Sequence, residues 1–303
     1  MGFLVGLMSA GIRLAIPVGF GALGGMISER VGIVNMGLEG MMLMGSFFAV
    51  LGSYLTGSPY IGLLLAILIG AITGLVHAVL TIRYKCDHIL SSLGINLFAS
   101  GLTVVLLSAI WNAKGKSETV NGFEMIHIKF LEHVPVIGDL FGDISPMLIL
   151  LIICTVSMQV MVFHTPLGLR IRVVGDDPAV ADSLGISVYG IQYFGVILSG
   201  ALAAIGGACL SIGDIDMFSK EMVSGRGYIA MAILVLGRWN PALIMVASLI
   251  FGILQGLQLR IQSAAVAPQL VQMIPYIATL IFLVISKSKN IGPQYSGKAY
   301  YRD

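Results

Sequence analysis

Apolar residues fall in nine runs along this chain, at roughly 14–28, 33–56, 60–82, 89–111, 147–163, 191–212, 226–238, 241–259 and 271–286. Most approach the ~20 residues that a helix needs to cross a bilayer. The seventh is short and reads as a half-helix or a tilted, buried one. The pattern predicts an all-α polytopic membrane protein with about nine transmembrane helices, within a range of about 8–10. It reads as a single transmembrane domain, 1–303, interrupted by polar loops at 112–146 and 164–190 and closed by a polar, basic tail at 287–303 that is expected to fray.

The basic residues orient the runs. With the 164–190 loop placed inside, the inner segments hold Arg30, Arg83, Lys85, Arg170, Arg172, Arg238, Lys287, Lys289, Lys298 and Arg302, ten of the 17 Lys and Arg residues. Lys and Arg concentrate in short cytoplasmic loops. The N-terminus is therefore expected outside and the C-terminus in the cytoplasm, with 112–146 an extracytoplasmic loop that folds as a small cap. Arg13 is most simply placed at the outer interface, with residues 3–12 forming an interfacial elbow before a span that starts near Leu14.

Composition supports the same class. The chain is 57% hydrophobic and 11% charged, against about 25% charged in globular domains. A net charge of +2 is too small to suggest a nucleic-acid partner. Cys86, Cys154 and Cys209 lack metal-site spacing, and no metal or cofactor is expected. Gly115-Lys116-Ser117 has the end of a phosphate loop, but Ile110 stands where that loop requires glycine. No catalytic constellation is present. His77, alone in an apolar run, reads as a core residue. Gly70/Gly74 and Gly252/Gly256 are spaced for close helix packing.

Two polar features carry more information. Asn35 and Glu39 lie four apart in IVNMGLEGMMLMG, a spacing that puts them on one helix face, with Gly37 and Gly40 allowing an unwound or closely packed backbone. Asn96 lies in LSSLGINLFASG. A carboxylate in a span costs about 2.5–3.5 kcal/mol on insertion scales. These residues either line the path of a polar solute or make structural hydrogen bonds between helices. The second feature is a compact helix signal in the 164–190 loop. Asp177 serves as N-cap, Pro178 takes the first helical position, and Gly185 ends the helix left-handed. Such a helix is either a docking element or part of a solvated linker.

The segments ERVGIVNMGLEGMMLMG (29–45), LGLRIRVVGDDPAVADSLGI (167–186), GRGYIAMAILVLGRWNP (225–241), LQLRIQ (257–262) and MIPY (273–276) resemble the permease subunits of ABC importers of the branched-chain amino acid and ribose type. The GLEG, GRGYIAMA and LQLRIQ forms are most similar to the nucleoside branch. The resemblance implies a bacterial, multi-pass cell-membrane permease that is not itself an enzyme. It would import nucleosides by alternating access. Its implied partners are a second permease chain, identical or different, two cytoplasmic ATPase subunits, and an extracytoplasmic substrate-binding protein. The resemblance also implies that the loop helix couples to the ATPase through Asp176, Asp177, Pro178, Ala181, Asp182, Leu184 and Gly185. Asn35, Glu39 and Asn96 are the pathway candidates. In the ribose branch an extra N-terminal helix precedes the segment matching residues 3–45, and its lack here agrees with the expected topology. The alternatives are a ribose or simple-sugar permease and an ion-coupled secondary transporter.

Overall fold

The computed structural model describes residues 2–127, 143–261, 277 and 292–301. Among the described residues its helices include α1 (Gly2–Arg30), α2 (Leu38–Thr56), α3 (Pro59–Ala78), α4 (His88–Trp111), α5 (Pro146–His164), α6 (Pro166–Asp176), α7 (Pro178–Ser183), α8 (Val188–Leu210), α9 (Arg226–Leu236) and α10 (Pro241–Ile261). A π-helical turn extends α3 through Val79–Arg83, and another extends α8 through Ser211–Ile215. Each of the first eight predicted runs carries a helix. The ninth, 271–286, lies outside the described residues except at position 277, as do all of MIPY and part of the 112–146 loop.

Seven helices among the described residues are long and apolar enough to cross a membrane, and Arg226–Leu236 is a shorter apolar one. Many starts follow one local rule, a polar cap followed by proline, whose missing N–H costs nothing in the first turn. Ser145 and Pro146 start α5, Thr165 and Pro166 start α6, and Asp177 and Pro178 start α7, each with a side-chain oxygen accepting from a first-turn N–H. Asn240 does the same for α10, accepting from the Ala242 N–H at 3.0 Å.

Helix α8 is the central post. It packs against α1, α2 and α3 through small residues, and Gly70 of α3 and Gly200 of α8 approach so closely that neither has room for a Cβ. Gly74 and Gly207 make similar approaches to Val196 and Met42. Backbone proximity of this kind is how helices associate where lipid offers no hydrophobic drive. Phe20, Leu23, Met26 and Ile27 of α1 fill the core on one side of α8, and Met41, Met42 and Phe47 of α2 fill it on the other. Helix α4 lies at the periphery, with Leu90, Leu93, Leu97 and Phe98 exposed.

One end of the bundle is basic, gathering Arg30, Arg83, α6 and α7. The opposite end holds the α2–α3 turn and residues 112–127. There Ile126–His127 (β1) pairs antiparallel with Asp143–Ile144 (β2), and Lys116 bridges to Ser219. The Ser117 N–H donates to the Phe218 carbonyl, and the Phe218 N–H to Ser117 Oγ, so the GKS sequence serves this junction.

The structure corrects two expectations. Residues 3–12 form no interfacial elbow, because α1 is helical from Gly2. Its first half is held by α10, where Gly11 meets Ile253 and Gly252. The tail does not fray over 292–301. Tyr295 N–H donates to the Gly175 carbonyl at 2.9 Å and Gly297 N–H to the Gly32 carbonyl at 3.0 Å, and Tyr300 is buried. Two tyrosines and backbone pairing dock a segment whose polar composition concealed them.

Candidate functional site

Between α1 and α2 the helix breaks at residues 31–37. Gly32 adopts a left-handed φ of 88°, a conformation glycine takes without steric cost. Inside a membrane protein every freed backbone group needs a partner, and here the neighbouring helices supply them. Val34 N–H donates to His88 Nδ1 at 3.3 Å, and Met36 N–H to Ser92 Oγ at 3.1 Å. His77 Nε2 lies 3.1 Å from the Val34 carbonyl and its Nδ1 lies 2.9 Å from Ser91 Oγ. A carbonyl only accepts, so Nε2 carries the proton and Nδ1 accepts from the serine. His77 is thus a fully bonded core residue that supports the break.

Asn35 sits within the break, not on a helix. Its Nδ2 donates to Ser199 Oγ of α8 at 3.0 Å, and its Oδ1 accepts from the Gly37 N–H at 3.0 Å. The expectation that Asn35 and Glu39 share one helix face is therefore corrected. The break at Gly32–Gly37 turns Asn35 toward α8, while Glu39, in the first turn of α2, turns toward α9.

Glu39 meets the start of α9. Its Oε1 accepts from the Gly225 N–H and its Oε2 from the Gly227 N–H, both at 2.7 Å. A carboxylate there satisfies two backbone donors and complements the positive end of the helix. Gly227 has no room for a Cβ, which would lie 2.5 Å from the Glu39 nitrogen.

Asn96 of α4 closes the third side. Its Oδ1 accepts from the Gly40 N–H at 2.8 Å, and its Nδ2 donates to the Met36 carbonyl and to the Tyr228 hydroxyl, each at 3.1 Å. The structure thus brings Glu39 and Asn96 together around the first turns of α2 and α9, while Asn35 anchors the break behind them.

The length of α9 gives the place meaning. Eleven residues span about 16 Å, roughly half a ~30 Å hydrocarbon core. Its C-terminal side reaches the basic end, where Trp239 Nε1 donates to Glu29 Oε2 at 2.6 Å and Arg30 donates to the Trp239 carbonyl. Its N-terminus therefore lies mid-bundle. The non-helical stretch before it includes Asp216, Glu221 and Ser224 at positive φ, and Arg226 folds back to donate to the Met222 and Val223 carbonyls. Irregular backbone at such depth is tolerated where it is buried in protein or lines a water-filled cavity.

Sequence reading missed Ser92, Ser100, Glu221 and Tyr228. Ser100 Oγ donates to Glu221 Oε1. Ser92, Asn96 and Ser100 recur every four residues on α4, so their spacing carries a signal that Asn96 alone does not.

At the basic end, Asp177 Oδ1 accepts from the Ala179 and Val180 N–H groups at 3.0 and 3.1 Å, and Gly185 has a φ of 75°. Of the coupling candidates, Pro178 and Ala181 are buried and fix the helix. Asp182 is half-buried, and Asp176, Asp177, Leu184 and Gly185 are exposed. Val180, not anticipated, is exposed beside them. Helix α6 was also unforeseen. It buries Ile171 and Val174, and the guanidiniums of Arg30 and Arg172 flank the Phe163 ring.

A half-length helix meeting a broken one inside an apolar bundle is the architecture of a transporter's membrane subunit. Residues 7–284 match the branched-chain amino acid transport system permease component family, and the chain belongs to that family. It is 35% identical to the nucleoside ABC transporter permease NupC of Lactococcus lactis, a match covering 94% of this chain and 93% of the relative. It is 34% identical to the guanosine ABC transporter permease NupQ of Bacillus subtilis, over 98% and 96% of the two chains. A solved metal-chelate type ABC transporter in an inward-facing conformation shares the fold, with a TM-score of 0.51 and 18% identity over 91% of this chain and 85% of that one.

Proposed function

We propose that this chain is the permease subunit of an ATP-driven importer that takes up nucleosides across the cell membrane by alternating access. The observation that carries the reading is the near-complete match to two relatives named for nucleoside and guanosine transport. The geometry supports it. The mid-bundle polar site offers amides, hydroxyls and a carboxylate, groups suited to an uncharged solute rich in hydroxyls and base edges. The chain performs no hydrolysis itself; ATP is hydrolysed on separate subunits.

In this reading the basic end faces the cytoplasm, which puts the N-terminus outside and residues 112–146 on the extracytoplasmic side. A second permease chain packs beside this one, two ATPase subunits dock below, and an extracytoplasmic binding protein delivers solute above. Helix α7 is the coupling element. Val180 and Leu184 are exposed apolar side chains on a water-facing surface, as a docking helix requires. Movement of α7 passes into α6 and α8, and α8 holds Asn35 through Ser199. Asn35, Glu39 and Asn96 frame the solute path and fix the helix ends that border it.

Uptake of labelled nucleosides and of labelled ribose, in cells with and without the gene, tests the proposal. Nucleoside uptake is expected to disappear on deletion and to depend on ATP, while ribose uptake persists. Loss of ribose uptake alone, or nucleoside uptake that an ionophore abolishes while ATP is maintained, overturns it.

A further inference from the structure

The polar site leaves one aromatic side chain turned outward. Tyr228 lies in the first turn of α9 and is 47% exposed. Its hydroxyl is oriented by an amide whose own orientation is fixed. The Gly40 N–H requires Asn96 to present Oδ1 there, and the Met36 carbonyl requires Nδ2 on the other side. Asn96 therefore donates to the tyrosine oxygen, and the phenolic proton points elsewhere. Among the described residues no acceptor takes it.

The depth of this group excludes lipid as its surroundings. The start of α9 is about 16 Å from the basic end, near the middle of a membrane core. A phenol facing hydrocarbon there would leave its donor unsatisfied, which is unfavourable. The exposed Glu221 carboxylate, bonded to Ser100 on the same side of Asn96, would cost more. Both fit a hydrated path.

We infer that Tyr228 is the aromatic contact for the solute in this permease: its ring stacks on the base of a nucleoside, and its hydroxyl donates to an acceptor on the base edge or ribose. The inference rests on the nucleoside reading and sharpens it. Glu39 already occupies the backbone donors at the start of α9, so the positive helix end is not available to a phosphate. The site therefore takes an uncharged nucleoside. The hydroxyl also makes the contact directional, since a tyrosine donor with a fixed oxygen selects solutes that present an acceptor.

The experiment uses the complete importer, both permease chains with ATPase subunits and loaded binding protein, reconstituted in liposomes. Tyr228→Ala is expected to lower the nucleoside uptake rate about 10- to 100-fold, the range expected from losing one base–aromatic stack. Tyr228→Phe, which keeps the ring and loses the donor, is expected to lower it only about 3- to 10-fold. Both variants should assemble with the ATPase subunits as the unmodified complex does. Uptake at the original rate in Tyr228→Ala overturns the inference and leaves the nucleoside reading standing. So does a loss of assembly in both variants parallel to the loss of uptake, which marks a packing role. An unmodified complex that moves no nucleoside overturns both.

Discussion

The hydroxyl of Tyr300 donates to Oδ2 of Asp182 across 3.1 Å, tying residues 292–301 to α7. The same short segment bonds to Gly175 at the end of α6 and to Gly32 in the break that precedes Asn35. Lys85 Nζ donates to the Tyr300 carbonyl and lies over the Tyr189 ring of α8. Residues 292–301 thus lace α6 and α7 to the break behind the polar site.

Removing residues 292–303 is expected to leave the permease able to bind its ATPase but to reduce solute moved per ATP hydrolysed. Tyr300→Phe, which loses one hydrogen bond worth about 1 kcal/mol, should reduce it less. Transport and hydrolysis measured together in liposomes decide this. An unchanged ratio in the truncated protein would make the tail a cover and no more.

Gly185 ends α7 at a φ of 75°, and nothing lies within 4 Å of where a Cβ would be. A substitution there meets no clash and acts through the backbone alone. Valine, β-branched, is strained in the left-handed region, while asparagine tolerates it. Gly185→Val is expected to weaken co-purification of the ATPase and Gly185→Asn to leave it nearly intact. Equal effects of the two would remove the capping geometry from the interface.

The sequence made the helices legible because apolar run length reports them directly, and α7 because Asp177, Pro178 and Gly185 each act within a few residues of themselves. The break at 31–37 was half-visible in Gly37 and Gly40. What it joins was not, since Glu39 bonds to Gly225 and Gly227, and Asn96 to Gly40 and Tyr228, across large separations in the chain. Helix α6 escaped notice because the loop containing it is polar overall, and only its Thr165-Pro166 start marks it. The docked tail escaped for a similar reason: its partners, Gly32 and Gly175, offer backbone carbonyls, which no composition reveals.

Glu39→Gln replaces one acceptor oxygen with an amide that faces an N–H donor. One charge-assisted bond at the start of α9 is lost, and a donor–donor contact takes its place. Such bonds are worth about 1.5–3 kcal/mol. The variant is therefore expected to melt earlier in detergent as well as to transport poorly. Glu39→Asp, too short to reach both Gly225 and Gly227, should also lower stability. A Gln variant with unchanged melting but altered uptake would mean that the carboxylate serves the solute more than the helix.

The other end of α9 rests on Trp239. Arg238 and Trp239 both hold a φ of 52°, and the turn they form is clamped by Arg30 donating to the Trp239 carbonyl and by the Trp239 indole donating to Glu29. Glu29 is buried at 6% exposure, so its carboxyl depends on that indole. Trp239→Phe keeps much of the ring but leaves the carboxyl without the donor, at a cost of about 1–3 kcal/mol or more. Glu29→Leu, which leaves the indole N–H without its acceptor, should be destabilising alone. It should be less so beside Trp239→Phe, because the pair to be broken is already gone. A double-mutant cycle on thermal melting reads the coupling directly, and a coupling near zero would show that the clamp belongs to Arg30 and the backbone, with the indole only filling space.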